Sequence, residues 1–433
     1  MNVKQEFDAI VIGAGVMGSS IAYELARGGR SVCVIDKAAG PGQGSTSASS
    51  AVLRFNYTTF EATALAWEAF HCWLNWKDHL EAPNEDGLVQ VNNIGMVMLE
   101  VPIANFDRTA MLFEQVGIDY EIAGPDRLKE IIPGIDPGKF WPPKRIDDPE
   151  FWQDSSEQLR GMYTPMGGYV SDPMQSAVNL ANAAIRKGAL FKYKTQVNEI
   201  CKENGRVCCV ITDDGEQINA PIIVNAAGPW SGRINDLAGA GSDFTVTTRP
   251  MRQEVHHVQA PASWINPPCF SDLDTGVYIR PEAGGGMVIG GTEPECDPYQ
   301  WVEDPDNVNM NRTQELFTAQ VTRAARRLPD LQVPSTAAGV VGVYDVSSDW
   351  SPIYDKSDVP GFYLAIGTSG NQFKNAPTTG QVMAAIIKAV ESGIDHDANP
   401  VQFAARRTGL TINTGAFSRK REKNEFSTGT VLG

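Results

Sequence analysis

The sequence predicts a mixed α/β protein, in which a parallel sheet built from βαβ units is combined with a second, mostly antiparallel sheet. Three observations predict this class. Glycine-rich turns follow buried strands and open into helices near both ends of the chain. Short strands separated by Pro- and Gly-rich turns fill residues 245–335. With 433 residues the chain is too long for one ordinary core, so about two domains are expected.

The first element is an apolar strand, predicted over 9–12, that runs directly into a glycine turn. The turn has the spacing Gly13-x-Gly15-x-x-Gly18 and leads into a helix predicted over 16–28. Gly13 permits the tight turn, Gly15 lets the backbone approach a pyrophosphate, and Gly18 lets the helix pack against the strand. The helix N-terminus offers N–H groups and a partial positive charge to that pyrophosphate.

A second strand, predicted over 31–36, ends in Asp36, whose carboxylate is well placed to accept hydrogen bonds from a ribose hydroxyl. Strand, glycine turn, helix, strand and acid within a unit of about 30 residues predict dinucleotide binding. The following loop, 37–44, carries three glycines and a proline and is expected to be irregular. The hydroxyl-rich run 45–50 could hold a phosphate or cover a flavin face, or Ser45 or Ser47 could simply cap a helix.

Composition and charge exclude several classes of function. With 42% hydrophobic residues the chain is typical of a soluble globular protein, and a formal net charge of −16 argues against binding to nucleic acid or anionic membranes. No segment reaches the roughly 18 apolar residues of a membrane span, and the first strand leaves no room for a signal peptide. Seven cysteines without a Cys-x-x-Cys pair, and five histidines without metal-ligand spacing, predict no metal and a reducing, cytoplasmic setting.

The remaining elements follow from hydrophobic periodicity. The helix predicted over 59–80 carries an apolar stripe of Phe60, Ala64, Trp67, Phe70 and Leu74. Further helices are predicted over 174–188, 313–328 and 376–393, and strands over 89–100, 189–193, 206–212, 221–225, 245–258, 276–280, 286–291 and 362–367.

The segment 401–433 is basic, with six Lys or Arg residues against Glu422 and Glu425. Two interpretations are open. The segment docks onto an acidic surface of this chain or of a partner, or it is a solvated and partly mobile terminus.

Four motifs occur in a specific order along the chain. They are the N-terminal glycine turn, Gly168-Tyr-Val-x-Asp172-Pro, Asn225-Ala-Ala-Gly228-x-Trp230 and Gly367-Thr-Ser-Gly370-Asn-Gln-Phe-Lys374. In this order the chain resembles the FAD-dependent amine and amino-acid oxidoreductases of the D-amino acid oxidase superfamily. It is most similar to the sarcosine oxidase and dimethylglycine dehydrogenase branch, and the resemblance spans nearly the whole chain.

The resemblance implies a Rossmann-like FAD-binding domain and a substrate domain built on a mostly antiparallel sheet. The FAD-binding domain would comprise 1–88, 162–244 and 337–400, the substrate domain 89–161 and 245–336, and a basic tail 401–433. Toward the ADP half of FAD would lie Gly13, Gly15, Val16, Met17, Gly18, Asp36 and Lys37, with the Val197 backbone at the adenine. Near the pyrophosphate and flavin would lie Gly44, Ser45, Thr46, Ser47, Ala227, Gly228, Trp230, Gly342, Gly370, Asn371, Gln372, Phe373 and Lys374.

Two positions are implied to carry the mechanism. Arg54 falls where this branch places an arginine that binds the substrate carboxylate, a role that suits its planar, always-charged fork. The alternative is a structural ion pair. Lys374 matches a lysine near the flavin pyrimidine, where a cation stabilises the charge of reduced flavin; the alternative is a solvated loop lysine.

The chain also departs from the family pattern. Ala51 replaces a second arginine, Gly342 stands where monomeric sarcosine oxidases attach flavin to cysteine, and 45–50 contains no attachment histidine. We therefore expect non-covalent FAD. Val288 stands at or near the position of the lysine that promotes reaction with oxygen, which favours a dehydrogenase over an oxidase.

The resemblance implies oxidation of a small secondary or tertiary amine or N-methylated amino acid, with hydride transfer to flavin N5 and hydrolysis of the imine. Arg252, Tyr278 and Arg280 are weaker candidates for the substrate pocket, with surface packing as the alternative. An electron acceptor, either oxygen or a redox partner, is required, and a homo-oligomer is possible. Alternative functions are oxidation of a 2-hydroxy acid or glycerol phosphate, and a flavin-carrying subunit of a larger complex. An NAD-dependent Rossmann enzyme is disfavoured, because the motif at 370–374 has no role there.

Overall fold

The structure, a computed structural model, describes residues 5–84, 87–104 and 106–433 and has the mixed α/β class that the sequence predicts. Its α-helices are α1 (Val16–Arg27), α2 (Phe60–Leu74), α3 (Trp76–His79), α4 (Phe106–Val116), α5 (Pro125–Ile131), α6 (Pro173–Arg186), α7 (Ser231–Ala238), α8 (Gln314–Arg327) and α9 (Ala376–Glu391).

The strands of the first half of the chain are β1 (Gln5–Glu6), β2 (Ala9–Ile12), β3 (Val32–Ile35), β4 (Val52–Leu53), β5 (Val91–Asn93), β6 (Met96–Leu99), β7 (Glu121–Ala123), β8 (Gly161–Thr164), β9 (Gly168–Val170), β10 (Leu190–Lys192), β11 (Val197–Glu203) and β12 (Arg206–Thr212). Those of the second half are β13 (Gln217–Asn219), β14 (Ile223–Asn225), β15 (Thr248–Gln259), β16 (Cys269–Asp272), β17 (Val277–Glu282), β18 (Gly286–Gly291), β19 (Gln300–Trp301), β20 (Gly339–Ser347), β21 (Ile353–Lys356), β22 (Phe362–Ile366), β23 (Gln402–Ala404) and β24 (Thr411–Asn413).

A six-stranded sheet of order β10-β3-β2-β14-β22-β21 holds the N-terminal glycine turn. Its first five strands are parallel and β21 is an antiparallel edge. Strands β2, β3, β14 and β22 are buried throughout, as expected for continuous apolar runs covered on both faces. Helices α1, α6 and α9 pack together on one side, and the small sheet β1-β13-β12-β11 covers the other. The carboxyl ends of the parallel strands meet at one edge, where ligands bind in such sheets.

The long helix predicted over 59–80 is interrupted at Asn75. Helix α2 ends at Leu74 because Asn75 has non-helical backbone angles and its side chain donates to the His71 carbonyl. The predicted apolar stripe is therefore wrong at its last position, where Leu74 is exposed. The other four stripe residues are buried or half-buried.

The second large sheet has nine strands in the order β19-β15-β18-β17-β16-β6-β8-β7, with β20 paired to β15. Helix α8 packs on one face through Phe317, Val321 and Ala324, against Met287 and Ile289 of β18. The opposite face is turned toward the glycine turn of the first sheet.

Two strands of the nine-stranded sheet fall largely within the ranges predicted for the cofactor domain. Strand β8 and strand β20 both pair within the nine-stranded sheet, although the sequence assigned 162–244 and 337–400 to the cofactor domain. A strand pattern gives the strand but not its partner, so the sequence could not tell to which sheet either belongs. Residues 1–4, 85–86 and 105 of the predicted ranges lie outside the described residues.

The basic segment 401–433 docks onto acidic residues of this chain, the first of the two interpretations. Arg419 is 1% exposed and pairs with Asp243, Asp355 and Asp397. Arg421 donates two hydrogen bonds to the Asp349 carboxylate, from Nε at 2.9 Å and from Nη2 at 2.8 Å. Beyond these anchors the chain continues inward to Thr430–Gly433, which are buried.

The described residues contain neither a membrane-spanning helix nor a cluster of metal ligands. Within 5–84, 87–104 and 106–433, the helices are all too short or too polar to cross a bilayer. In that part of the chain, no group of three or more His, Cys, Asp or Glu side chains converges as metal ligands would. All seven cysteines are free thiols.

A buried carboxyl on β20 makes stability pH-dependent. Asp345 accepts a hydrogen bond of 2.6 Å from the Gly367 N–H, and burial raises its pKa to about 7, against 3.8 when unfolded. Between about pH 4 and pH 7, Asp345 keeps its proton in the folded protein and loses it in the unfolded chain. The stability contributed by Asp345 is therefore full below about pH 4 and is lost as the pH rises through about 7. An Asp345→Asn variant lacks this loss, so its stability relative to wild type should improve by up to about 1.4 kcal/mol per pH unit between pH 4 and 7.

Thermal unfolding of the two proteins at pH 5, 6 and 7, followed by far-UV circular dichroism, measures this difference. Asp349→Asn is the matched control. Burial alone would raise the pKa of Asp349, but Arg421 holds it below the ordinary value, so this variant should be less stable than wild type by a constant amount over the same range. An Asp345→Asn difference that does not change with pH would contradict the prediction.

Candidate active site

A cavity of about 1170 Å³ lies between the two large sheets. It begins at the carboxyl edge of the parallel sheet, near Asp36 and Val197. It continues past the glycine turn and the hydroxyl-rich loop, and ends against β15, β17 and the motif at 370–374. The length and volume suit a dinucleotide with room for a small substrate at one end.

The glycine turn, which forms the cradle of the cavity, packs too closely on neighbouring backbone to carry side chains at two of its glycines. Gly13 has φ +106°, and a Cβ atom there would collide with the carbonyl oxygen of Ala226. Gly18 packs so closely on the turn that a Cβ atom would collide with the Gly13 carbonyl oxygen. Helix α1 begins just beyond Gly15, with its dipole toward the cavity. Glycine at both positions therefore keeps the turn tight, and Gly13, Gly15 and Val16 line the cavity where a pyrophosphate can bind.

Asp36 and Thr46 fix the shape of this turn. The Asp36 carboxylate accepts the N–H groups of Ala14 at 2.6 Å and Ala38 at 2.7 Å, and it also lines the cavity. Thr46 Oγ1 accepts the Val16 N–H at 3.1 Å. The acid thus holds two backbone groups while each of its oxygens keeps a further lone pair for a ribose hydroxyl.

At the same end, a loop from the other sheet closes over two predicted cofactor residues. Asp306 pairs with Lys37 and accepts from Trp230 Nε1 at 2.9 Å and from Arg233 Nη1 at 2.6 Å. Lys37 Nζ lies 3.9 Å from the centre of the Trp230 ring. Asp306 was not predicted, because nothing in the sequence indicates that this distant loop reaches the cavity.

Most of the predicted cofactor residues line the cavity. These are Gly13, Gly15, Val16, Met17, Asp36, Lys37, Gly44, Ser45, Thr46, Val197, Ala227, Gly228, Trp230, Gly342, Gly370, Asn371, Gln372, Phe373 and Lys374. Two do not. Gly18 supports the turn from behind, and Ser47 donates to the Gly44 carbonyl within its own loop.

Lys374 is buried at the far end of the cavity, which does not agree with a solvated loop lysine. Its Nζ donates to the Tyr57 hydroxyl at 2.9 Å and to the Asn371 carbonyl at 2.5 Å. Burial, together with the nearby charge of Arg54, lowers its pKa well below the ordinary value. An amine in this place, held only by neutral oxygens, can take up a proton and stabilise negative charge that develops beside it.

Arg54 lies at the same end and is only 5% exposed. One guanidinium nitrogen donates to the Asn56 carbonyl, and Nη2 donates to the Val431 carbonyl at 2.6 Å. Its charge also lies 4.9 Å from the centre of the Tyr57 ring. Within the described residues no carboxylate contacts Arg54, so the structural ion pair considered as its alternative is absent there.

Of the three weaker pocket candidates, only Tyr278 lines the cavity, where its hydroxyl lies 2.7 Å from Ser50 Oγ. Arg252 is on the opposite face of β15, paired with Glu254 at 2.8 Å. Its neighbours Gln253 and Val255 line the cavity instead, because successive side chains of a strand point to opposite faces. Arg280 is buried 4.4 Å from the centre of the Tyr169 ring and does not line the cavity.

Three further residues at this end were missed. Tyr344 lines the cavity from β20, and Val431 and Leu432 reach it from the basic segment. The sequence carried a signal only for Tyr344, which lies in the segment beside Gly342. Val431 and Leu432 come from a segment whose docking could not be anticipated.

The cradle, the helix dipole and the elongated cavity fit a dinucleotide cofactor, and residues 8–386 match the family described as DAO, FAD dependent oxidoreductase. The chain belongs to the DAO family. It is therefore an FAD-dependent oxidoreductase, and the resemblance seen in the sequence is confirmed. At Gly342 and at 45–50 the chain has no cysteine or histidine for covalent attachment of the flavin.

Relatives of this DAO-family chain cover most of its length. It is 24% identical to FAD-dependent oxidoreductase domain-containing protein 1 of Xenopus laevis, over 92% of this chain and 82% of the relative. It is 24% identical to glycine oxidase of Geobacillus kaustophilus, over 90% of this chain and 95% of the relative. The crystal structure of L-proline dehydrogenase from P. horikoshii superposes with a TM-score of 0.76 at 20% identity, over 97% of this chain and 98% of that one, which shows a shared fold.

Proposed function

We propose that this DAO-family enzyme oxidises the C–N bond of a small secondary or tertiary amine, or of an N-methylated amino acid resembling sarcosine. The product is an imine that water hydrolyses. The observation that carries this proposal is the position of Arg54, a buried guanidinium at the substrate end of the cavity that hydrogen-bonds to carbonyl oxygens and, among the described residues, to no carboxylate. A planar cation in such a place suits a carboxylate, which it can bind through two nitrogens.

Arg54 would hold the carboxylate and thereby orient the α-carbon. FAD, when bound, supplies the chemistry of accepting two electrons from the substrate. Lys374 would lie where negative charge develops, held by Tyr57 and the Asn371 carbonyl rather than by an acid. Tyr278 and Leu432 line this end of the cavity. The names of two relatives, glycine oxidase and sarcosine dehydrogenase, support a small amino-acid substrate.

We further propose that the electrons pass to an acceptor other than oxygen. Val288 is buried in the middle of β18, paired with His257 and Arg280 on its neighbouring strands. A valine supplies no charge to stabilise reduced oxygen, so reoxidation by air should be slow.

Anaerobic titration of the purified yellow protein tests the proposal. N-methylated amino acids, cyclic imino acids and 2-hydroxy acids are added in turn while the oxidised flavin absorbance is followed, and air is then admitted. Bleaching by an amine with slow recovery of colour is the expected result. Bleaching by hydroxy acids alone would show that the enzyme oxidises a C–O bond and not a C–N bond. Bleaching by none of them, with a protein partner that elutes with the chain, would indicate a flavin-carrying subunit.

A further inference from the structure

The segment 428–433 enters the substrate end of the cavity. Val431 and Leu432 line it, and Val431 packs against Met251, Val346 and Trp350. The Tyr299 hydroxyl donates to the Gly429 carbonyl at 3.1 Å, which holds the start of the segment. The segment therefore forms a wall of the cavity at the point where Arg54 reaches it.

The backbone of Val431 is held by two buried side chains, one basic and one acidic. The Val431 carbonyl accepts from Arg54 Nη2 at 2.6 Å, and the Val431 N–H donates to Glu293 Oε2 at 2.9 Å. The nitrogen and the carbonyl carbon are attached to the same Cα atom. An α-amino acid presents its amine and its carboxylate in the same relation, one bond on either side of the α-carbon.

Glu293 has an unusual environment for a carboxyl group. It is 7% exposed, and its other oxygen accepts from Gln253 Nε2 at 3.1 Å; Gln253 lines the cavity. Within the described residues, no cation pairs with Glu293, and burial raises its pKa to about 8. Its backbone has φ +52°, a left-handed conformation that costs about 1 kcal/mol or more for a side chain of this kind and is found where surrounding structure enforces it.

We propose that Glu293 binds the substrate amine while Arg54 binds the carboxylate, and that Val431 occupies this place until an α-amino acid displaces it. The proposal rests on the proposed function and deepens it. It identifies a second substrate-binding residue and restricts the substrate to molecules with amine and carboxylate on one carbon. A 2-hydroxy acid would satisfy Arg54 but would bring no positive charge to Glu293.

The displacement need not undo the docking of the basic segment. The ion pairs of Arg419 and Arg421 lie upstream and outside the cavity, so they can remain while 428–433 moves. Phe426, between the anchors and the moving part, is 51% exposed. The rate of proteolytic cleavage after Phe426 therefore reports the movement of 428–433.

A pair of ligands that cannot be oxidised tests the binding of the amine. In 2-aminoisobutyrate the α-carbon carries two methyl groups and no hydrogen, and pivalate has a third methyl group in place of the amine. Calorimetry on the wild-type holoenzyme should show about tenfold tighter binding of 2-aminoisobutyrate, because only this ligand pairs with Glu293. Equal affinities for the two ligands would overturn the proposal.

The variant Glu293→Gln should lose this preference, with little change for pivalate. Glu295→Gln, an exposed carboxylate two residues along the chain, is the matched control and should keep it. A preference that survives Glu293→Gln unchanged would exclude Glu293 as the amine site, even if amines bleach the flavin as the proposed function requires. If amines do not bleach it, the proposed function fails on its own titration.

Limited digestion with chymotrypsin tests the displacement in the wild-type protein. Cleavage after Phe426 should be several-fold faster with 2-aminoisobutyrate, whereas cleavage after the exposed Trp152, far along the chain, should keep its rate. An unchanged or slower cut at Phe426 at saturating ligand would show that Val431 stays in place and would overturn the displacement.

Discussion

Replacement of Arg54 by glutamine is expected to lower kcat/KM for the amino-acid substrate by about 100- to 1000-fold. Glutamine keeps some hydrogen-bonding capacity but has no charge, and the loss of one partner from a buried, hydrogen-bonded charge pair costs about 3–5 kcal/mol. Most of the effect should appear in KM, because the carboxylate is bound in the ground state as well as in the transition state. Arg54→Lys should recover part of the lost kcat/KM, since lysine restores the charge but cannot bind the carboxylate through two nitrogens.

Steady-state kinetics with an artificial electron acceptor measures these effects. Arg160→Gln is a suitable control, because Arg160 forms an exposed ion pair with Glu100 away from the cavity. Arg54→Gln also removes a donor to the Val431 carbonyl, so the resting rate of cleavage after Phe426 should rise in this variant. Wild-type kinetics in Arg54→Gln would mean that Arg54 only holds the chain and that the carboxylate binds elsewhere.

Replacement of Gly13 by alanine is expected to abolish FAD binding. The added methyl group would collide with the Ala226 carbonyl oxygen, and φ +106° is a conformation that alanine rarely adopts. Either the turn moves away from β14 or the strand does, and both changes alter the cradle. The purified variant should be colourless, and titration with FAD should show at least about 100-fold weaker binding than wild type.

Gly232→Ala provides the control for this substitution. Gly232 lies in α7 with open space around it, so alanine should be tolerated and should favour the helix by up to about 1 kcal/mol. Its yellow colour and FAD affinity should match those of wild type. A yellow Gly13→Ala protein with unchanged affinity would mean that the turn relaxes without affecting the cofactor.

The elements of the cofactor sheet could be predicted because local patterns determine them. Ala9–Ile12 and Phe362–Ile366 are continuous apolar runs that end in glycine, and such runs form buried parallel strands. The pairing of Gly161–Thr164 and Gly339–Ser347 with the other sheet depends on contacts between segments far apart along the chain. No local pattern carries that information, so the sequence could not assign either strand to its sheet.

In the candidate site too, local patterns could be predicted from the sequence and contacts between distant segments could not. The glycines, Asp36 and the motif at 370–374 were predictable, because their residue types are complementary to the shape and charge of a dinucleotide. Arg252 was predicted to lie near the pocket, but strand alternation places Gln253 and not Arg252 on the cavity face. Glu293 carried no signal, since its role depends on Val431, which is 138 residues away along the chain.

The strand order of the six-stranded sheet has a consequence for synthesis on the ribosome. Strand β2 pairs with β14 and β14 with β22, so neighbours in the centre of the sheet leave the exit tunnel in the order 9–12, 223–225 and 362–366. The nascent chain thus carries an unpaired apolar edge at β2 for some 200 residues of translation, and another at β14 until β22 emerges. Such edges expose the growing chain to aggregation, and the cofactor cavity is complete only when the last third of the chain has been made.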